Sequence, residues 1–498
     1  MTHTAHRPRT TTLCLLAAGL LLAGCTRSES DKKPLAATRP LEGVTLRLAV
    51  VDDPALAAAV IRLRGEWNAQ TGANLDVVAS SERDVLRADA LPADAVLCPS
   101  HMLADLAESG RVMPVSGDIQ RSKQWRGVFE LLKLREAAWG RQTLAIPFGS
   151  PVFCCYYRAD VLEAVGRRPP RTWAEYQELA ALLAHEKPAG LKGPWCGAIE
   201  PLAPGWAGLA LLARAAPSIK HRDNYSALFN IETMEPLISG PPMIEALEEL
   251  VAAAKLGPAE PLSYDPSAVR AAFWRGECAM AITWPTAAGR TDAVVRGDKT
   301  SRSKPSATIP TTLDPKIRVG FVELPGSHRA FNLIAHTWDV RGEDDDTRVP
   351  LLAASGRLGV VSAKASNPIA AFQLLLWLSD ERNSPQVSAA SAATTLFRES
   401  NLKAPSRWVE KPVSAPAAVK YGDMAEAAFR HEQWLGALRL PGRAEYLAAL
   451  DEAVASAIRG DKPAIEALLE ADAKWRQITD RLGRDRQKAA YRHSLGLE

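Results

Sequence analysis

One pattern restricts the fold of this chain more than any other: short apolar strands alternate with helix-period segments. VTLRLAVV, Val44 to Val51, reads as a strand. Asp53 and Pro54 follow as an N-cap and first-turn pair. The next segment sets Leu56, Ala59, Val60, Leu63 and Trp67 on one helical face and stops at Gly72. Leu75–Val78 and Ala93–Cys98 read as further strands, and Ser100 opens a helix through Leu103 and Leu106 that ends at Gly110. A β-α-β-α-β order predicts a doubly wound, mostly parallel sheet, which binds ligands beyond the carboxyl ends of its strands. Asp52, Asp53, Ser100 and His101 fall at those ends and are candidate ligand contacts. One of the two aspartates also serves as a helix cap.

The alternation restarts at Ala145. Phe153–Tyr157 is a strand, and RTWAEYQEL opens a helix with Thr172 and Glu175 in capping-box spacing. Met243–Lys255, Pro266–Arg275 and Pro368–Ser379 read as helices, and Gly442–Gly460 with Ala464–Leu482 give a helical C-terminus. In GECAMAITWP, Ala279–Thr283 is a buried strand that Pro285 must end, which leaves Trp284 at the strand's edge. The polar stretches Arg296–Lys316 and Arg341–Arg348 read as solvated loops.

The first residues carry a different signal. Arg7 and Arg9 precede an apolar run of 12 residues, Leu13–Gly24, too short to span a bilayer and suited to a secretory leader. It ends in Leu22-Ala23-Gly24-Cys25, which resembles a bacterial lipobox, with Cys25 the lipidated residue. Residues 1–24 are thus expected to be a signal peptide and 25–43 a flexible tether. The expected location is exported and lipid-anchored, at the periplasmic or outer face of a membrane. Without Arg7 and Arg9, the 60 basic residues fall to 58, against 57 acidic ones. That balance gives no surplus to hold nucleic acid. Beyond Cys14 and Cys25, five cysteines remain in apolar surroundings. They read as buried thiols, with one disulfide left open.

Catalytic signatures are missing. There is no G-x-S-x-G elbow and no G-x-x-x-x-G-K-[ST] loop, and HEQWL at residues 431–435 lacks the second histidine of a zinc protease. Tyr156 and Tyr157 alternate faces of a strand and cannot readily share one metal. No cofactor or metal is expected.

Five segments together resemble one family: YYRADVLEAVGRRPPRTWAEYQELAALL, AVRAAFWRGECAMAITWP, VGFVELPG, AAFQLLLWLSDE and RLPGRAEYLAALDEAV. In this order they resemble the family 1 extracellular solute-binding proteins of ABC importers, the sugar-binding group that includes maltose-binding protein. The resemblance spans roughly residues 44–485. It implies an α/β, two-lobed periplasmic-binding-protein fold, each lobe a mostly parallel sheet flanked by helices, with a helical C-terminus. Residues 44–148 and 322–378 would form lobe one; 149–321 and 379–498 would form lobe two. A monomer would close on a carbohydrate and deliver it to permease subunits served by a separate ATPase. Trp284 matches an aromatic position that stacks on sugar in the cleft. Trp206 and Arg398 match positions near that cleft, although Leu396-Phe397 replaces the proline common before the arginine, and Phe148 and Ser150, in IPFGSP, lie at the predicted first crossover and are candidates to line it. The alternatives are an exported glycoside hydrolase or lyase, and a sugar-binding protein that presents its ligand to a chemosensor.

Overall fold

The computed structural model describes residues 39–191, 193–288, 317–342, 345 and 347–497. The expected leader, Cys25 and most of the tether lie outside the described residues, as does the whole Arg296–Lys316 stretch.

The chain begins with β1 (Thr45–Val51), α1 (Pro54–Thr71), β2 (Asn74–Ser80) and β3 (Ala95–Pro99). Helix α1 forms where expected and for the expected reasons. Asp53 accepts the Leu56 N–H, Pro54 opens the first turn, and Gly72 closes the helix at φ 83°. Leu56, Ala59, Val60, Leu63 and Trp67 are its buried stripe, with Ala57 beside them. The short strand β4 (Ile146–Pro147) then leads out of this unit.

Beyond Phe148–Ser150 come β5 (Cys154–Arg158), α2 (Trp173–Ala184), β6 (Cys196–Ile199), α3 (Ala207–Ile219), β7 (Cys278–Thr283) and β8 (Val319–Glu323). Strand β9 (Arg357–Val361) returns to the first unit, and α4 (Pro368–Leu378) follows it. The chain ends in α5 (Arg443–Arg459), α6 (Ala464–Leu482) and α7 (Arg484–Ser494).

The strands form two main sheets, ordered β2-β1-β3-β9-β4 and β8-β5-β7-β6. The α/β architecture of two mostly parallel sheets is as expected, with a single reversed strand in each. β1 runs parallel to β2 and β3, whereas β9 runs against both β3 and β4. In the second sheet β6 and β7 are parallel, while β5 opposes β7 and β8. The reason lies in the crossovers. β5 and β9 are the strands that enter a sheet from the other unit, so each starts at the end where its neighbours finish.

Three chain passages link the units, and they are packed together. The first two pair directly: Phe148 N–H donates to Arg357 O and Arg357 N–H to Gly149 O, each at 2.9 Å. Gly149 has φ 111°, and a Cβ there would lie 2.6 Å from Thr395 O in the third passage, so a side chain has no room. Strand β8 straddles the expected boundary at 321/322 and lies wholly in the second sheet. Residues 384–390 still pack on α1, so the third passage begins near Ser391. The C-terminal helices do not stay with one unit. Asp451 of α5 accepts the Gly205 and Gly208 N–H groups at the start of α3, while His493 of α7 meets Glu108 of the first unit at 2.7 Å.

Cys98, Cys154, Cys155, Cys196 and Cys278 are all buried and free. Thr172 caps α2 as expected, but the Glu175 carboxylate takes the N–H of Arg171 and not that of Thr172. In the Arg341–Arg348 stretch, of which residues 343, 344 and 346 lie outside the described residues, Arg341 is anchored: its guanidinium donates to the carbonyls of Pro217, Lys220, Ser327 and Thr347.

Candidate functional site

The two sheets direct the same kind of edge toward the passages. β1 and β3 end there in the first unit, and β6 and β7 end there in the second. The side chains one or two residues past these strands are therefore the ones that can face each other across the molecule.

Trp284, the residue after β7, is only 4% exposed. Its ring lies 5.5 Å from both Phe153 and Trp206, at tilts of 57° and 46°. Phe153 and Trp206 are 6.3 Å apart and T-shaped, so the three rings form one cluster. The Arg270 guanidinium sits 5.5 Å from the Trp284 ring centre, and its Nη1 reaches Thr283 Oγ1 at 3.2 Å. The indole N–H of Trp284 donates to Ala392 O at 3.0 Å. Trp206 is half-buried and lies at the start of α3.

Asp53 faces this cluster from the first unit. One carboxylate oxygen caps α1; the other accepts Arg357 Nε at 3.1 Å and the Ser391 hydroxyl at 2.5 Å. Ser391 and Ala392 thus stand between the units, bonded to Asp53 on one side and to Trp284 on the other. The aromatic cluster and the aspartate communicate through the chain's own third passage.

The other expected positions divide into separate groups. Asp52 is exposed at φ 48°, and its carboxylate accepts the Glu82 N–H at 2.8 Å. His101 Nε2 lies 3.1 Å from both oxygens of Glu82. Burial pulls the imidazole below its ordinary pKa, whereas the hydrogen bond from His101 holds Glu82 below the usual carboxylate range. Ser100 and Ser150 both donate to Ser355 O, at 3.2 and 2.8 Å, and so fasten the strand ends to the second passage. Phe148 is fully buried against Leu375 and the backbone of Gly359, a core position. Arg398 is 3% exposed and donates to Ser379 O and Gln124 O; burial pulls its pKa down to about 10. It shares no bonding partner with Trp284 or Asp53. Where the family proline is replaced, Leu396 and Phe397 are buried, and Asn401 Oδ1 takes the N–H groups of Phe397 and Arg398.

Sequence reasoning missed Phe153, Arg270, Arg357 and Ser391. Phe153 had a legible signal, since it adjoins a strand whose neighbours face the cluster. The other three come from distant segments and carry none. Among the described residues no group of three His, Cys, Asp or Glu side chains is placed to hold a metal. No described helix is long and apolar enough to cross a membrane.

The bacterial extracellular solute-binding protein family matches residues 53–384, more than half of the chain. This chain belongs to that family. Its members bind solutes and are not enzymes. Comparison with curated proteins gives no match. Among solved structures, the chain is similar to an ABC transporter solute-binding protein from Agrobacterium radiobacter K84 in complex with ribitol: 18% identity, 88% of this chain and 100% of the other covered, TM-score 0.60. The maltose-bound MalE3 of T. maritima is 16% identical, with 87% and 100% covered and a TM-score of 0.59. The sugar-binding MalE of Xanthomonas citri is 16% identical, with 88% and 98% covered and a TM-score of 0.62. These likenesses establish a shared two-lobed fold for this family member.

Proposed function

We propose that the protein is the solute-binding component of an ABC importer and captures a carbohydrate or polyol between its lobes. The observation that carries this reading is the Phe153–Trp206–Trp284 cluster at the carboxyl ends of the second sheet, opposite Asp53. Aromatic faces suit the C–H surface of a sugar, and carboxylates accept its hydroxyls. Similarity to proteins named for ribitol and maltose supports the same ligand class.

In the described conformation the third passage fills the space between cluster and carboxylate. Ligand entry therefore requires the lobes to separate and Ala392 to release Trp284. A ligand that contacts both lobes then selects the closed form by its differential affinity. On this reading Trp284, Trp206 and Asp53 contact the cargo, with Asp52, Ser100, His101, Phe148, Ser150 and Arg398 shaping the cleft or the passages around it. Delivery to a permease and anchoring through Cys25 belong to the same proposal; the leader sequence supports the anchor.

The test is a thermal-shift screen of residues 26–498 against mono- and oligosaccharides and polyols. Ligand at about 100 times its dissociation constant adds roughly 2.7 kcal/mol of stability. A shift with one sugar or polyol, lost in Trp284→Ala with the ligand recovered unchanged, is the expected result. Silence across the panel, or an undiminished shift in the variant, rejects the reading.

A further inference from the structure

Trp284 is held by two different parts of the molecule. Its indole N–H is bonded to Ala392 O of the third passage, a contact that the proposed opening breaks. Its ring and its carbonyl are held from within the second unit, by Arg270 of the helix Pro266–Trp274. The guanidinium carbon lies 5.5 Å from the ring centre, and Nη1 reaches Trp284 O at 3.4 Å and Thr283 Oγ1 at 3.2 Å. The Thr283 hydroxyl in turn donates to Pro266 O at 2.9 Å. The end of β7 is thereby tied to the first turn of the helix that carries Arg270. Phe153 and Trp206, also of the second unit, complete the surroundings of the ring.

The geometry separates this role from plain charge neutralisation. Arg270 is 4% exposed and Glu410 2%. Arg270 Nε and Glu410 Oε1 lie 3.8 Å apart, and the same oxygen accepts the Tyr156 hydroxyl at 3.2 Å. A guanidinium buried to meet a carboxylate makes short paired bonds of about 2.7–2.9 Å. Here the carboxylate stands off, and Nη1 is given to the end of β7. A cation beside an indole is most strongly attracted where water is excluded, which is the case at this depth.

We propose that Arg270 is a positioning residue for cargo binding: it holds the Trp284 ring in place while the lobes are apart, so that the stacking face is ordered before cargo arrives. This rests on the reading of Trp284 as a cargo contact. An unrestrained indole spreads over several staggered rotamers, and selecting one of them weakens binding. Once Ala392 lets go, Arg270, Phe153 and Trp206 remain against the ring, and of these three Arg270 is the one bonded to the Trp284 carbonyl. Arg270 does not itself need to touch cargo. It acts through Trp284.

The test begins with residues 26–498 and no added solute. The difference between parent and Trp284→Phe gives the share of Trp284 in the near-ultraviolet circular dichroism and in the acrylamide quenching of fluorescence. That share is then measured in Arg270→Lys and in Arg270→Met/Glu410→Gln, which removes both charges and leaves no orphaned ion in the core. In the double variant the Trp284 dichroism should be largely lost and its quenching faster, with far-ultraviolet dichroism unchanged. Arg270→Lys keeps a cation at the ring and should restore most of the signal. If the double variant does not fold, Arg270→Gln/Glu410→Gln, which keeps a donor for Thr283 but no cation, serves the same comparison. Calorimetric titration with maltose, ribitol and D-mannitol follows. A probe that binds the parent should bind the double variant roughly tenfold more weakly, with Arg270→Lys close to the parent. A Trp284 signal that survives intact in the double variant overturns the proposal, whether or not a probe binds. So does a probe bound at parent affinity after the signal is lost. Should the carbohydrate panel give no ligand, the carbohydrate reading fails by itself, and the spectra still decide whether Arg270 holds the ring.

Discussion

Asp53 carries the largest single consequence in the structure. It is 8% exposed and performs three tasks with two oxygens: it caps α1, neutralises Arg357 and holds Ser391. Removing it as Asp53→Ala loses a cap, about 1 kcal/mol. It also leaves the Arg357 guanidinium, whose side chain is 11% exposed, without its carboxylate. Breaking a buried pair from one side costs about 3–5 kcal/mol. The two losses overlap, so the expected total is about 3–5 kcal/mol. Asp53→Asn keeps a cap and an acceptor for Ser391 and should cost roughly 1.5–3 kcal/mol, the value of a hydrogen bond to a charged group. The assay is urea unfolding of residues 26–498 for the two variants, for Arg357→Met and for the Asp53→Ala/Arg357→Met double variant. The double variant should be less destabilised than the sum of the singles, because no orphaned charge remains. An Asp53→Ala loss below about 1 kcal/mol, or strict additivity in the double variant, refutes the argument. Asp53 would then be chiefly a ligand contact, and Asp53→Asn should lower sugar affinity while leaving the unfolding midpoint in place.

Further expectations concern buried groups elsewhere. Glu410 is 2% exposed beside Arg270 and Tyr156, and burial raises it from 4.5 to about 7. Between those values the folded state holds a proton that the unfolded chain has released, so stability falls as pH rises from about 4.5 to 7 and levels off above. A shift of this size is worth on the order of 3 kcal/mol. Glu410→Gln should flatten that decline between pH 5 and pH 8, with Glu136, which burial likewise raises to about 7, left to supply a similar share; an unchanged pH slope of the urea midpoint counts against the assignment. Arg398→Ala frees the carbonyls of Ser379 and Gln124. It should destabilise by about 2–4 kcal/mol with sugar affinity unchanged, since each buried acceptor left unpaired costs about 1–3 kcal/mol; a selective loss of affinity at full stability would make it a ligand contact. The five buried thiols, with Cys98 and Cys196 pushed up to about 12 by burial, should resist a thiol reagent until the chain unfolds. Fast labelling of any one in the native state contradicts that.

What the sequence determined by itself was local. Helix α1 follows from residues within a few positions of one another: an aspartate cap, a first-turn proline, a 3.6-residue apolar stripe and a terminal glycine. The same holds for Ala464–Leu482, for the end of β7 ahead of Pro285 and for the reading of the cysteines as buried thiols. The order of strands and helices, with five family-like segments, was enough for the two-lobed architecture. Strand direction was not local. β5 and β9 run against their neighbours because each enters from the opposite lobe, a fact of chain path that no window of residues contains. The site divides in the same way. Trp284 was legible because a strand end positions it. Its hydrogen bond to Ala392 and the Ser391 link to Asp53 join segments more than 100 residues apart. Glu136 was invisible for the same reason: a glutamate in a helical turn signals nothing until packing buries it beside Ser100, Ser150 and Arg439. Propensity and periodicity act over a few residues and can be read from order alone. Which buried polar groups find partners depends on what tertiary packing brings to them.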